Sequence, residues 1–114
     1  MQGKRLDRVN QLIKEEISLV LQREMKDPRL GFITVTEVET ANDLRVAKVF
    51  VSVFGDEATW TASLTALKSA RGFIRHWLRS HLDLRVTPEL DFRPDRSMAH
   101  AARIQELLQH LNDR

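Results

Sequence analysis

The chain has 114 residues, of which 42% are hydrophobic and 30% charged, so it can bury the core of one domain and is too apolar for a disordered chain. No apolar run approaches the roughly 20 residues of a membrane span, and no apolar stretch follows the charged N-terminus as a signal peptide requires. The lack of cysteine excludes disulfides, thiolate catalysis and cysteine-ligated metals. We therefore expect a cytoplasmic protein that is not associated with a membrane.

The first predicted element is a helix from about Arg5 to Met25. Apolar residues recur on one face at helical spacing, namely Leu6, Val9, Ile13, Ile17, Val20 and Leu21. Asp27-Pro28 ends this helix, because a residue before proline is pushed out of the α region. Gly31 starts the next element, a strand from Phe32 to Glu39 in which β-branched residues dominate.

A predicted turn at Ala41-Asn42-Asp43 leads into a second strand from Leu44 to Phe54, which favours an antiparallel hairpin. The pattern is then helical from about Ala58 to Leu82. Gly72 lies within it and costs about 1 kcal/mol relative to alanine in a helix interior. We therefore predict two helices that meet within residues 69–72.

A third strand is predicted from Leu84 to Phe92, where Pro88 is suited to an edge strand or a strand start. Asp95 or Ser97 could cap a last helix, whose apolar face comprises Ala101, Ile104, Leu107, Leu108 and Leu111. The order α-β-β-α-kink-α-β-α predicts an α+β fold. Its simplest packing is a three-stranded sheet with helices on one face.

Positive charge is concentrated in one segment, residues 68–85. The chain has a net charge of +2, whereas this segment carries five basic residues and one acid, so the remainder is net negative. Lys68, Arg71, Arg75 and Arg79 follow one another at spacings of three, four and four, which places them along one helix face. Arginine matches phosphate oxygens in a bidentate way and stacks on bases. The segment therefore predicts RNA binding.

Other interpretations of these charges remain open. A basic stripe on a helix can be an ordinary solvated surface, and Lys4, Arg5 and Arg8 fit surface ion pairing with neighbouring acids. The basic helix could also meet an acidic protein partner. A nuclease is disfavoured, because no carboxylate cluster, histidine pair, nucleophile or glycine-rich phosphate loop occurs in the sequence. Base stacking on the sheet is not indicated, because no strand is rich in aromatic residues.

Five stretches, in order along almost the whole chain, resemble one family. They are Arg8-Val9 with Ile13 and Glu16-Ile17; Lys26-Asp27-Pro28-Arg29-Leu30-Gly31-Phe32 with Thr34-Val35-Thr36; Asp43-Leu44 with Ala47-Lys48-Val49 and Val51; Ser69-Ala70-Arg71-Gly72-Phe73-Ile74-Arg75; and Leu84-Arg85 with Thr87-Pro88-Glu89-Leu90, Phe92, Asp95 and Ser97. The ordered set resembles the ribosome-binding factor A family of bacterial small-subunit assembly factors.

The resemblance implies one KH-like domain over residues 1–114, related to the type II arrangement. In ordinary KH domains a GXXG loop clamps the nucleic-acid backbone, and the resemblance puts Ala70-Arg71-Gly72 at that junction. It also implies a monomer without catalytic activity or cofactor. Such a factor binds the free 30S subunit and its 16S rRNA late in maturation and promotes processing of the rRNA 5′ end. It supports growth in the cold, and other assembly factors such as a maturation GTPase are further expected partners.

The charge pattern and the resemblance together predict one RNA-binding site. We expect Arg71, Arg75 and Arg79 to contact phosphates, and Gly72 to let the backbone bend and approach RNA closely. The full set of expected site residues is Lys68, Ala70, Arg71, Gly72, Arg75, Arg79, Arg85, Arg45 and Lys48.

Overall fold

The computed structural model describes residues 2–25 and 27–112, with side chains described for residues 3–25, 27–97 and 104–111. Lys26 and the side chain of Ala101 lie outside this part. The elements in chain order are α1 (Gln2–Arg23), β1 (Phe32–Thr40), β2 (Val46–Phe54), α2 (Glu57–Ser69), α3 (Arg71–His81), β3 (Glu89–Pro94) and α4 (Ser97–Asn112). The predicted order of helices and strands is confirmed.

The three strands form one mixed sheet in the order β1-β2-β3. β1 and β2 are antiparallel, as predicted for a hairpin, and a bulge shifts their register between Val35 and Glu37. β3 runs parallel to β2, which is possible because α2 and α3 form the long crossover that parallel strands need. The chain leaves β2 through Gly55, whose φ of 147° is a conformation that favours glycine.

The core lies between one face of the sheet and the helices α1, α2 and α3. Alternate residues of each strand point into it, and in β2 these are Ala47, Val49, Val51 and Val53, all of which are buried. The helices contribute their apolar stripes, including Ile13, Ile17, Leu67, Ile74 and Leu78, all fully buried. Trp77 also ties α3 to α1, because its Nε1–H donates to Glu16 Oε2 at 3.0 Å.

The strand boundaries differ from two of the predictions. Leu44 was expected in the second strand, but it lies in the turn with a φ of 63°, and β2 begins at Val46. Leu84 was expected to start the third strand, but β3 begins at Glu89. Pro88 has no N–H to offer, and the first ladder bond runs from the Glu89 N–H to the Arg45 carbonyl at 2.8 Å.

The start of α4 is held firmly, whereas its later turns are exposed. Asp95 Oδ1 accepts hydrogen bonds from the Ser97 backbone N–H and hydroxyl, which confirms Asp95 as a capping group. Arg96 pairs with Glu57 and lies 4.3 Å above the Trp60 ring. Beyond this point no described helix or strand packs extensively on α4. Its predicted apolar face therefore stays open, with Leu107, Leu108 and Leu111 more than half exposed.

Asp95 predicts a specific loss of stability in acid. Hydrogen bonds from the Ser97 and Thr36 hydroxyls hold the pKa of Asp95 below its ordinary value. The carboxylate therefore stabilises the fold above the ordinary carboxyl pKa, and this contribution disappears as the pH falls through the lowered folded-state pKa. We expect Asp95→Asn to reduce the difference in unfolding free energy between about pH 6 and about pH 3. Urea titrations at both pH values check this, and an unchanged difference would contradict it.

Candidate nucleic-acid interface

The predicted break between the two helices is confirmed and falls at a single residue, Ala70. Its φ of −91° and ψ of 4° interrupt the helical path. The Ala70 N–H still donates to the Ala66 and Leu67 carbonyls, at 3.0 and 3.1 Å. The Ala70 carbonyl accepts from the Ile74 N–H at 2.9 Å, so α3 starts without a gap in the hydrogen bonding. The bend is therefore built by the backbone around Ala70.

Gly72 is not the residue that makes the bend. It lies in the first turn of α3 without a positive φ, and a Cβ placed on it would meet no other atom within 4 Å. The expectation that Gly72 lets the backbone bend is therefore wrong, because the break lies at Ala70 and Gly72 is helical. The open space beside Gly72 agrees with its other expected role, which is to let RNA approach the helix backbone closely.

Gly72→Ala is expected to separate folding from binding. Alanine is favoured over glycine in a helix by about 0.8–1 kcal/mol, and the added Cβ has free space, so the melting temperature should rise. If RNA lies against this backbone, the same methyl group should weaken RNA binding. Thermal melts and filter binding check the two effects, and Ser69→Ala serves as a control one turn earlier. Stabilisation with unchanged RNA affinity would remove Gly72 from the interface.

Arg71, Arg79 and Gly72 line one shallow depression, together with His76, Arg75 and Glu89. Its volume is about 190 Å³. Both arginines are exposed, while Ile74 and Leu78 on the opposite side of α3 are fully buried. The predicted basic face of α3 is thus exposed, and the opposite side of the helix is apolar and buried. No ion pair among the described residues involves Arg71 or Arg79, so both guanidinium groups are available to an anion.

Arg75 has a different position from its two neighbours. Its Nη2 donates to the Thr87 carbonyl at 2.9 Å and its Nε to the Pro88 carbonyl at 3.3 Å. Its Nη1 lies 3.6 Å from Glu89 Oε1. These bonds hold the segment before β3 against α3. The prediction that Arg75 contacts phosphate is not tested by this geometry, but Arg75 differs from Arg71 and Arg79 because two of its guanidinium nitrogens already donate to carbonyl groups.

Lys48 and Lys68 meet around a carboxylate that the sequence did not single out, Asp91. Lys48 lies beside Asp91 in the register of β2 and β3. The pKa of Asp91 is lowered, chiefly by its hydrogen bond from Arg93 and also by the charges of Lys48 and Lys68. Arg93 is exposed and belongs to the same cluster. The pairing of β2 with β3 brings Arg93 and Asp91 next to Lys48. The sequence alone does not show which residues of the two strands lie side by side.

Arg45 and Arg85 lie apart from the α3 depression, in a larger cleft of about 390 Å³. Arg5 from α1 lines the same cleft. Surface ion pairing was the expected role of Arg5, but it forms no ion pair with any described residue. The two depressions are neighbours, because the Glu89 N–H donates to the Arg45 carbonyl at 2.8 Å, and Glu89 lines the α3 depression while Arg45 lines the cleft.

We call this combined area the basic surface. It comprises Lys48, Lys68, Arg71, Arg79, Arg93, Arg45, Arg85 and Arg5. The fold also brings acids into it that the count over residues 68–85 omitted, namely Glu89, Asp91 and Asp43. The surface remains positive overall, since its basic residues outnumber these acids. It suits a polyanion whose phosphates are spaced over several contacts.

The open face of the sheet carries aromatic residues that were not expected there. Phe32 and Phe54 are paired across β1 and β2 and are 78% and 84% exposed. Alternation along each strand puts both side chains on the face away from the helices. The alternation of the two strands in the sequence already places Phe32 and Phe54 on outward positions. Only the pairing register shows that the two rings are neighbours.

Metal-ligating side chains do not cluster in the described part of the chain. In residues 3–25, 27–97 and 104–111, whose side chains the structure describes, no three His, Asp or Glu side chains converge on a point that could hold a metal ion. No helix of that part is long and apolar enough to cross a membrane. The chemistry that the basic surface does offer is phosphate binding by guanidinium and ammonium groups.

Comparison with known proteins agrees with this architecture. A sequence profile of the family described as Ribosome-binding factor A matches residues 5–108. The ribosome-binding factor A of Halothermothrix orenii is 48% identical over 113 residues, which cover 99% of this chain and 93% of the relative.

Solved structures extend the similarity to the fold. The crystal structure of ribosome-binding factor A from Thermus thermophilus superposes with a TM-score of 0.72 at 28% identity, over 81% of this chain and 98% of the other. A homology model of the Thermus thermophilus factor, fitted into a cryo-EM map of a 30S complex, gives a TM-score of 0.59 at 30% identity, over 80% and 91% of the two chains. These neighbours have a KH-like fold, which confirms the predicted fold class. The chain therefore belongs to the ribosome-binding factor A family.

Proposed function

We propose that this chain is a non-catalytic assembly factor that binds the free 30S subunit and its 16S rRNA during late maturation. The observation that carries the proposal is the basic surface, which the fold assembles from α1, α2, α3 and residues in or just before β2 and β3. Separate segments supply its charges, so it exists only in the folded chain. The Thermus thermophilus relative described in a 30S complex supports the choice of partner.

Arg71 and Arg79 are the proposed central phosphate contacts. They flank the exposed backbone at Gly72, where RNA can approach the helix without meeting a side chain. Lys68, Lys48, Arg85 and Arg45 extend the contact on both sides, while Arg75 positions the segment before β3. Phosphate contacts set position and affinity but carry little sequence information. Specificity then comes from the shape of the assembling subunit.

The proposed effect on rRNA processing is indirect. The factor would hold the precursor RNA in a shape that a separate nuclease can cut, so that 5′-end processing depends on it although it breaks no bond. We further propose that it acts as a monomer in the cytoplasm, alongside other assembly factors such as a maturation GTPase, and that it supports growth in the cold.

Co-sedimentation with purified free 30S subunits tests the proposal. We expect binding that weakens steeply as salt rises from about 50 to about 200 mM, because counterions are released from RNA on binding. A protein adaptor would keep its partner after nuclease treatment of a pull-down, whereas a ribosomal RNA ligand would be lost. A nuclease would shorten precursor RNA on its own. No co-sedimentation at low salt would contradict the proposal.

A further inference from the structure

The cleft that holds Arg45 and Arg85 has a composition unlike the α3 depression. Three arginines from different elements line it, Arg5 from α1, Arg45 before β2 and Arg85 before β3. Between them lies an aliphatic wall that includes Leu6, Leu44 and Val86. Its volume of about 390 Å³ falls within the range of small-ligand sites, about 300–1,000 Å³. By contrast, no aliphatic side chain lines the α3 depression.

One wall of this cleft is built by a strained backbone. Leu44 has a φ of 63°, a conformation that is unfavourable for a residue that carries a side chain. The turn holds it there, since its N–H donates to the Ala41 carbonyl at 2.9 Å and the Arg45 N–H donates to Asp43 Oδ1 at 3.1 Å. The strain turns an aliphatic side chain toward the cleft. Strain retained at one position indicates a site where geometry matters.

The charges of the cleft favour an anion of limited size. Its one carboxylate, Asp43, is 3.9 Å from the Arg45 Nε, and both side chains are mostly exposed. Arg5 and Arg85 have no ion-pair partner among the described residues. Two guanidinium groups are thus unopposed, and their planar forks match the oxygens of a phosphate.

The uncharged residues that line the cleft indicate which kind of anion fits it. A bare phosphate would leave the aliphatic wall unused, and an acidic peptide would meet the carboxylate of Asp43. A nucleotide uses every part of the lining. Its phosphate meets guanidinium groups, the faces of its base meet aliphatic carbon, and the edge of its base meets the hydrogen-bonding groups of Asn42 and Asp43.

We propose that this cleft binds a single nucleotide, with the phosphate on Arg5 and Arg85 and the base against Leu6, Leu44 and Val86. The nucleotide can be an unstacked residue of the bound RNA or a free mononucleotide. The first source rests on the proposed function and deepens it, because it adds one base pocket to a surface that otherwise contacts phosphates. The second source is independent of RNA binding.

Nuclear magnetic resonance titration with cytidine 5′-monophosphate tests the site directly. We expect shifts of the Leu6, Leu44 and Val86 signals at millimolar concentration, and much smaller shifts with inorganic phosphate or cytidine alone. Arg85→Ala should weaken nucleotide binding about tenfold, the usual effect of removing a hydrogen bond to a charged group. Arg23→Ala, an exposed arginine at the end of α1, is the matched control. Absent cleft shifts, or equal effects of the two variants, would overturn the proposal.

Leu44→Gly provides a second test, because it should raise the melting temperature and weaken nucleotide binding. Glycine accepts the positive φ without strain, so the variant should melt at a higher temperature. It also removes part of the aliphatic wall, so it should bind the nucleotide several times more weakly. A folded variant with unchanged nucleotide affinity would overturn the assignment of the base to this wall.

The two sources are distinguished with an RNA hairpin that carries one bulged nucleotide and a fully paired hairpin of the same length. An RNA residue in the cleft makes the bulged hairpin bind more tightly, and Arg85→Ala removes this preference. If the cleft binds only a free nucleotide, the two hairpins bind equally tightly. The signals of the cleft residues still shift with cytidine 5′-monophosphate. The double variant Arg71→Glu/Arg79→Glu should lose RNA binding but keep the nucleotide shifts, so failure of the proposed function and failure of the nucleotide site give different results.

Discussion

Replacing both Arg71 and Arg79 by glutamate is expected to weaken binding to 30S subunits roughly a hundredfold at moderate salt, because two phosphate contacts become repulsive. The slope of log affinity against log salt should also fall by about 2. The fold should tolerate the change, since both side chains are exposed. Glutamate in the first turn of α3 is favourable to the helix dipole and offsets the loss of Arg79 in the last turn.

The measurement is co-sedimentation over a salt series, with circular dichroism to confirm folding. Arg23→Glu is the control, because Arg23 is an exposed arginine that lines neither basic depression. We expect its effect on affinity to be about threefold or less, as for a charge outside the contact. A folded double variant that binds as tightly as the parent would remove α3 from the proposed interface. Arg75 is deliberately left intact, since its replacement would also release the segment before β3.

Leu78→Ala is expected to lower the free energy of unfolding by about 2–5 kcal/mol, the usual cost of a cavity in a core. Leu78 is fully buried and holds α3 against the sheet. Urea unfolding measures the loss, and Leu107→Ala in α4 is a matched control with the same chemical change. Leu107 is 59% exposed, so its truncation should cost about 0.5 kcal/mol or less.

Binding by the same variants separates stability from function. RNA affinity of the folded Leu78→Ala protein should equal that of the parent, because Leu78 faces away from the basic surface. Equal losses of stability in the two leucine variants would mean that α4 packs on the body as tightly as α3 does, and would contradict the described fold.

The helices and the hairpin could be predicted because their signals are local. Spacing in α1 identified Ile13, Ile17 and Val20, which are fully buried, and alternation in β2 identified its buried face. The start of β3 could not be predicted, because alternation continues through Leu84 and Val86 although no partner strand lies beside them. Only the pairing of Glu89 with Arg45 and Val46 sets where the ladder begins.

The arginines of α3 at the centre of the candidate site could be predicted from the sequence, whereas the residues at its margins could not. Helical spacing placed Arg71, Arg75 and Arg79 together, but the carbonyl groups that occupy Arg75 belong to a segment twelve residues further along the chain. Arg5 and Arg93 reach the basic surface through tertiary packing and strand register, which no local pattern carries. The left-handed Leu44 was missed for a related reason, since leucine has no intrinsic preference for a positive φ.

The parallel pairing of β2 with β3 affects the order in which the chain folds during its synthesis. The hairpin and the individual helices close over short distances in sequence, whereas the pairing of Val46 with Glu89 spans both α2 and α3. Contacts of long sequence separation carry the larger loop-closure cost and form late in folding. Arg45, Arg75 and Glu89 meet only at that step. A nascent chain whose β3 has not yet left the synthesising ribosome therefore lacks a complete basic surface, because Arg45, Arg85 and Arg93 reach their places only when β3 pairs with β2.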